Sequence, residues 1–125
     1  MLLKHINRLH TSTGMVGFIA EDPNYDARND HISFVSEGKY TCLSNGPSGA
    51  RRHIFSNNTI TSALVMAGYQ IVFYDGNNFS GKSYTLKGPA AIPDMKKVGM
   101  NDKTTTFVVE PISPTVGELE NELNS

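Results

Sequence analysis

Residues 69–86 read YQIVFYDGNNFSGKSYTL and contain two patterns that predict different kinds of protein. The eight residues from Gly76 to Ser83 satisfy the phosphate-binding pattern G-x-x-x-x-G-K-[ST]. The same eight residues lie between YQIVFY and YTLK, two runs with β-branched and aromatic residues, an arrangement typical of a β-hairpin. The surrounding sequence decides between a nucleotide site and a hairpin.

A nucleotide-binding loop is not expected at these residues. Such a loop must be followed at once by a helix, because the N–H groups at the helix N-terminus hold the phosphate. After Ser83 the chain instead reads YTLKGP, which alternates like a strand and then reaches a proline. We therefore predict a hairpin in which Gly76 adopts the positive φ of a tight turn, while Gly81 leaves room for the Phe79 ring.

Composition limits the class of protein and its partners. The chain has 125 residues, enough for one domain, and its net charge of −1 gives no basic surface for nucleic acid. No apolar run has the length of a membrane span, and the opening MLLKHINRLH has too many charged residues for a secretion signal. We expect cytoplasmic synthesis and neither nucleic acid nor membrane as a partner. A virion or another assembly is a possible final location.

The chain is divided into short β-rich runs separated by turn residues. Six or seven such runs predict an all-β sandwich or barrel. The runs are MVGFIA, HISFVS, KYTCLS, SALVMA, YQIVFY, KSYTLKG and TTTFVV. Cys42 is the only cysteine, which excludes an intrachain disulfide, and we expect it to be a small buried residue in a strand.

Comparison of the chain with itself indicates a duplication. The segment GKYTCLSNGPSGARRHIFSNNTITSALVMA, from Gly38, aligns with GKSYTLKGPAAIPDMKKVGMNDKTTTFVVE, from Gly81. Both begin with Gly-Lys, turn at Gly-Pro, and place a polar signature, NNTITS or NDKTTT, before an apolar strand. Upstream, VGFIAEDPNYDA matches IVFYDGNNFSG with Tyr25 in the position of Phe79. This alignment treats about eleven residues, RNDHISFVSEG or thereabouts, as an insertion in the first half.

The second half of the chain resembles a Greek-key motif of the βγ-crystallins. Its opening corner carries the family's aromatic and glycine positions at Tyr74, Phe79 and Gly81. The family signature N/D-N/D-x-x-S/T-S/T is matched at Asn101, Asp102, Thr105 and Thr106, and in the first half at Asn57, Asn58, Thr61 and Ser62. The chain therefore resembles the microbial single-domain members of this family.

The resemblance implies an all-β domain in which two Greek-key motifs form a β-sandwich. The domain would occupy residues 15–110, with motif 1 at about 15–67 and motif 2 at about 69–110. A short N-terminal arm, 1–14, and an acidic C-terminal tail, 111–125, would flank it. In the arm, apolar residues recur at near-helical spacing at Leu2, Leu3, Ile6 and Leu9.

The resemblance also implies two calcium sites, each built from both signature loops. The first would use Asn58, Thr59, Thr105 and the Glu21 carbonyl. The second would use Asp102, the Lys103 backbone, Thr61 and the Asp75 carbonyl. Among the loop side chains only Asp102 is negative, so we expect weak binding that is tighter at the second site. The same Asn and Thr residues could equally cap turns with no metal present.

Three functions remain open from the sequence. The first is a non-enzymatic, calcium-binding structural or binding module. The second is an assembly, cement or decoration protein of a larger particle such as a phage virion, with residues 1–12 and 112–125 contacting a protein partner. The third is a proteinase inhibitor or toxin-like module that presents Arg51 and Arg52 from the segment SNGPSGARRH.

Overall fold

The computed structural model describes residues 14–25, 32–42, 47, 49–52, 55 and 59–112. Within these ranges the chain is almost entirely β. The strands are β1 (Met15–Ala20), β2 (Ile32–Ser36), β3 (Gly38–Thr41), β4 (Arg51–Arg52), β5 (Ser62–Val65), β6 (Tyr69–Tyr74), β7 (Ser83–Lys87), β8 (Ala90–Ile92) and β9 (Thr106–Pro111). Short 3-10 segments occur at Pro23–Tyr25 and Met95–Val98. No helix in the described part of the chain has the length and apolarity needed to cross a membrane.

Several predicted features fall outside the described residues. They are most of the N-terminal arm, most of the C-terminal tail, and the signature residues Asn57 and Asn58. At the C-terminal boundary, β9 continues through Pro111, and the Ile112 N–H donates to the Gly68 carbonyl at 2.9 Å. Backbone pairing in this region therefore continues through residue 112.

The strands form two packed sheets. One sheet has the order β2-β1-β5-β8 and the other β4-β3-β9-β6-β7. The pairings are antiparallel except for the short parallel contact between β3 and β4. This arrangement confirms the predicted sandwich of two Greek-key motifs.

Each half of the chain contributes one strand to the sheet of the other half. Strand β3 belongs to the first half but pairs with β9, and β8 belongs to the second half but pairs with β5. Because neither sheet is complete without a strand from the other motif, the two motifs form one cooperative domain.

The pairings also correct the sequence alignment of the two halves. They match β1 with β6, β2 with β7, β3 with β8, and β5 with β9. The segment HISFVS, treated as part of an insertion, is in fact the counterpart of β7, and the Gly38 segment is the counterpart of β8. The additional length of the first half lies in the connection between β3 and β5, residues 42–61. The equivalent connection in the second half, between β8 and β9, is the shorter segment 93–105. The alignment of Gly38 with Gly81 was therefore wrong.

The core between the sheets contains a cluster of aromatic rings. Phe107 is fully buried and stacks on Tyr40 with ring centroids 4.6 Å apart. Its ring also lies 5.3 Å from that of Phe55 and 5.9 Å from that of Phe73. The Tyr40 hydroxyl donates to the Ser36 carbonyl at 2.6 Å, so its polar group is satisfied at the edge of the core. Since Tyr40 lies on the exchanged strand β3, this stack joins the two halves.

Truncation of the central ring should therefore destabilise the whole domain. We expect Phe107→Ala to lower the free energy of unfolding by about 3–5 kcal/mol, because it removes buried ring contacts and leaves a cavity. Urea denaturation measures the change. Phe107→Leu, which refills much of the volume, should lose less. A loss below about 1 kcal/mol for Phe107→Ala would contradict the central position of this ring.

Candidate functional site

The nucleotide-binding pattern lies in the β6–β7 hairpin. Strand β7 starts at Ser83, where a phosphate-binding loop would require a helix. The hairpin closes through the Asp75 N–H, which donates to the Lys82 carbonyl at 3.0 Å, and through the Lys82 N–H, which donates to Asp75 Oδ1 at 2.9 Å. The predicted hairpin is confirmed, and the pattern has no nucleotide-binding geometry.

The two glycines of this hairpin have different roles from those expected. Gly76 does not adopt a positive φ; it is required because a Cβ there would lie 2.6 Å from the Ser80 carbonyl oxygen. Gly81 has a φ of 83°, and a Cβ there would clash with Asp75 Oδ1 rather than with the Phe79 ring. Phe79 also has a positive φ, at 52°.

A hydroxyl on the last strand fixes this hairpin. Thr106 Oγ1 donates to the Gly76 carbonyl at 2.8 Å and accepts from the Phe79 N–H at 3.2 Å. The Thr106 side chain is fully buried, so both bonds are shielded from water. The final hydroxyl of the signature thereby ties the opening corner of its own motif to strand β9.

The first motif repeats this arrangement. Ser62 Oγ donates to the Asp22 carbonyl at 2.7 Å and accepts from the Tyr25 N–H at 3.2 Å. Tyr25 has a φ of 59°, close to that of Phe79, and its ring packs edge-on against Phe18 with centroids 5.8 Å apart. The predicted equivalence of Tyr25 and Phe79 is confirmed. Tyr25 differs in carrying a phenolic hydroxyl, and the corner of the first motif lacks the glycines found in the second.

The signature loops of the two motifs meet at one place. Each is anchored to its own first strand: the Thr61 N–H donates to the Ala20 carbonyl, and the Thr105 N–H to the Tyr74 carbonyl, both at 2.9 Å. Between the loops, Thr61 Oγ1 lies 3.2 Å from Asp102 Oδ1. Residues 59–62 and 101–106 therefore face each other, as the crosswise site requires.

For the second predicted site, the structure brings Thr61 and Asp102 into contact. Asp102 is exposed and has a φ of 53°, a conformation that Asn and Asp tolerate better than other non-glycine residues. Lys103 is also exposed, and its backbone N–H donates to the Met100 carbonyl at 3.2 Å. Asp75, whose carbonyl was predicted to take part in this site, directly follows Tyr74, the residue to which the second signature loop is anchored.

For the first predicted site, the structure reveals a carboxylate that the sequence analysis missed. Thr59 Oγ1 donates to Glu21 Oε1 at 3.0 Å, whereas only the Glu21 carbonyl was expected to take part. Thr105 is nearly buried, and its carbonyl accepts from the Cys42 N–H at 3.3 Å. Asn58 lies outside the described residues. The signal for Glu21 was its place directly after the first apolar strand, matching Asp75.

The donor set decides which ligands the corners suit. In the described ranges, no three His, Cys, Asp or Glu side chains group together to hold a metal ion. The groups that converge are hydroxyls, carbonyls and single carboxylates. These are hard oxygen donors, which suit Ca²⁺ and do not suit zinc or other metals that prefer nitrogen and sulfur.

Cys42 is not prepared for nucleophilic chemistry. It lies just after β3 and is half-buried, so the prediction of a buried residue within a strand was wrong. Burial raises the pKa of the Cys42 thiol, despite a backbone hydrogen bond that acts in the opposite direction. The thiol is therefore protonated at neutral pH, and the thiolate needed for reaction is scarce.

The two arginines assigned to an exposed inhibitory loop lie in a strand. Arg51 and Arg52 form β4, which pairs with β3. Arg51 Nη1 donates to Ser36 Oγ at 2.7 Å, and the guanidinium lies 5.5 Å from the centroid of the Tyr40 ring. The Arg51 side chain therefore contacts residues of its own domain, Ser36 and Tyr40.

The chain matches no protein-family model, and no curated protein matches it. Solved structures do match. The N-terminal domain of protein S has a TM-score of 0.61 at 17% identity, with 79% of this chain and 99% of that chain covered. A βγ-crystallin domain from Flavobacterium johnsoniae has a TM-score of 0.61 at 24% identity, covering 80% and 99%. One from Clostridium beijerinckii has a TM-score of 0.59 at 25% identity, covering 76% and 97%.

The exchanged strands, the paired hydroxyl corners and these matches together define a βγ-crystallin-type double Greek-key domain. The predicted resemblance is confirmed for the fold. More particularly, the likeness covers nearly the whole of two bacterial βγ-crystallin domains and more than three quarters of this chain, so it extends over the entire fold described above.

Two neighbouring threonines allow a matched test of the corner. Thr104 and Thr106 are both fully buried, but within the described residues Thr104 Oγ1 has no hydrogen-bond partner. We expect Thr106→Val to lower the free energy of unfolding by about 1–3 kcal/mol, because the Gly76 carbonyl and the Phe79 N–H lose their hydrogen-bond partner. Thr104→Val should be neutral or stabilising, since it removes a buried polar atom that makes no bond. Thermal unfolding measures both; equal losses would show that the Thr106 bonds do not hold the corner.

Proposed function

We propose that this protein is a non-enzymatic structural or binding module that binds Ca²⁺ where its two signature loops meet. The observation that supports this most directly is the contact across the two motifs, in which Thr61 Oγ1 lies 3.2 Å from Asp102 Oδ1. A hydroxyl from one loop and a carboxylate from the other are the side chains that the crosswise calcium site requires.

The ligand charge at each corner predicts weak binding. Calcium affinity rises with the number of charged ligands and the rigidity of the site. Asp102 supplies one carboxylate to the second site, and the exposed Lys103 side chain can extend away from it. The Glu21 carboxylate, 3.0 Å from Thr59 Oγ1, is available at the first site. The two affinities should therefore be closer than the loop sequences alone predict.

The metal-free alternative uses the same contacts. Thr61 Oγ1 also lies 3.3 Å from the Thr59 carbonyl, and the Asp102 N–H lies 3.4 Å from the Ile60 carbonyl. These hydrogen bonds could hold the two loops together without a cation. The alternatives differ in one respect: only a bound cation makes the stability of the fold depend on calcium concentration.

Calcium titration separates the alternatives. After dialysis against a chelator, we expect binding in the range of roughly 10⁻⁴–10⁻³ M. Addition of about 10 mM calcium should raise the melting temperature by roughly 4 °C. Calorimetric titration and thermal unfolding provide the two measurements. No heat and no stabilisation at millimolar calcium would remove the calcium proposal and leave the fold assignment intact.

Asp102→Asn is the decisive variant. Asparagine also tolerates a positive φ, so the substitution removes the charge while keeping the loop conformation. We expect affinity to fall about tenfold, equivalent to about 1.4 kcal/mol. Glu110→Gln is the control, because it removes one negative charge at the end of β9 opposite the corner. Equal effects of the two variants would indicate nonspecific screening of charge.

A role in a larger assembly, such as a phage virion, is the second proposal. It is supported by the closure of the fold at Ile112, whose N–H donates to the Gly68 carbonyl. Beyond this residue the sequence becomes acidic, with Glu118, Glu120 and Glu122, a composition that suits contact with a partner. Gel filtration of extracts from the native source measures association with a larger particle. The full chain should elute with a large particle, and a chain ending at Ile112 should elute as a small protein. Identical elution of both as small proteins would remove this proposal.

A further inference from the structure

The outer faces of the two sheets differ in chemistry at equivalent positions. Strand register defines one cross-strand row on each sheet. On the first sheet the row is Phe34, Phe18, Leu64 and Ala91. On the second sheet the matching row is Thr85, Val72, Val108 and Lys39. The second sheet therefore presents a lysine and a threonine where the first presents an alanine and a phenylalanine.

Two residues of the first row, Phe18 and Leu64, form a second hydrophobic cluster outside the main core, and the Phe34 ring packs edge-on against Phe18. Phe18 and Leu64 are only 3% and 2% exposed, and Phe34, at the rim, is 40% exposed. Partly buried apolar neighbours surround them: Met15, Tyr25, Ile32 and Met66. We refer to these seven side chains as the outer apolar face. Phe18 and Leu64 lie on the outer side of their sheet and are nevertheless almost fully buried, so side chains outside the main core must cover them there.

We infer that residues 1–13 of the same chain pack across the outer apolar face. The chain reaches this face directly, because residue 13 is followed by Gly14 and then by Met15, itself a member of the face. Gly14 has a φ of 79°, a left-handed conformation that allows the chain to change direction just before β1. The segment therefore begins its course at the edge of the surface it would cover.

The length and composition of the segment fit this surface. Four strands spaced by about 4.8 Å span roughly 15 Å, whereas thirteen extended residues reach about 40 Å and ten helical ones about 15 Å. The segment carries apolar residues at near-helical spacing, Leu2, Leu3, Ile6 and Leu9, and the basic residues Lys4 and Arg8 lie between them. One side can therefore meet the apolar face while the other meets solvent.

The C-terminal segment is a poorer occupant. It leaves β9, in the middle of the second sheet, and its residues 117–122 include three glutamates. The inference also does not depend on calcium, because the outer apolar face and the signature loops involve different residues. Failure of one proposal leaves the other standing.

A double-variant cycle in the full chain tests the contact. We expect Ile6→Ser and Phe34→Ser each to lower the melting temperature by roughly 4 °C. The double variant should lose little more than the more damaging single one, because residues in contact are not additive. Combining Ile6→Ser with Thr85→Ala, at the equivalent position on the second sheet, should give additive effects. Additive effects for Ile6 and Phe34, or no effect of Ile6→Ser, would overturn the inference.

A spin label identifies the occupant. A nitroxide is attached through Asn7→Cys in a Cys42→Ser background, and broadening of backbone amide signals is measured by NMR. We expect broadening at Phe34 and Leu64 but not at Val108, their counterpart on the second sheet. When spin-labelled chains are mixed with isotope-labelled chains, no intermolecular broadening should appear. Broadening only between chains would assign the face to a second copy, and uniform or absent broadening would leave it without this segment; both results overturn the inference.

Discussion

A buried hydroxyl at the start of the last strand of each motif organises this protein. Ser62 and Thr106 each donate to a carbonyl and accept from an N–H in the opening hairpin of their own motif. Because each group is saturated and shielded from water, the hairpin cannot move relative to the strand without leaving polar groups unpaired. The signature loop immediately precedes this fixed point. The loop is therefore held in a position where it contacts the signature loop of the other motif.

The exchange of β3 and β8 brings the two fixed corners together. Each exchanged strand adds to the sheet of the other motif. In the core, the stack of Tyr40 on Phe107 joins the exchanged strand β3 to β9 of the second motif. The motifs are thereby set in a near-symmetric relation, with Thr61 facing Asp102 across the interface. The packing of the core and the geometry of the corner are consequences of the same topology.

The sequence predicted those features that depend on local chemistry. The hydroxyl signature, the equivalence of Tyr25 with Phe79 and the absence of a helix after Ser83 all follow from residue types at fixed spacing. The alignment of Gly38 with Gly81 failed because an alternating strand carries no information about its partner, and partner choice is set by the whole sheet. The Glu21 carboxylate was missed for a related reason: its contact with Thr59 joins elements far apart in the sequence.

Asp102 has a left-handed backbone conformation. An Asn or Asp at this position therefore has two separate explanations, the backbone conformation and the binding of a cation. The backbone alone favours these residues there, whether or not a cation ever arrives. A lineage could therefore abandon calcium and keep the signature as a relic of its backbone geometry. At this position the residue type alone therefore reports the shape of the loop, whereas the negative charge of Asp102 is what a cation would require.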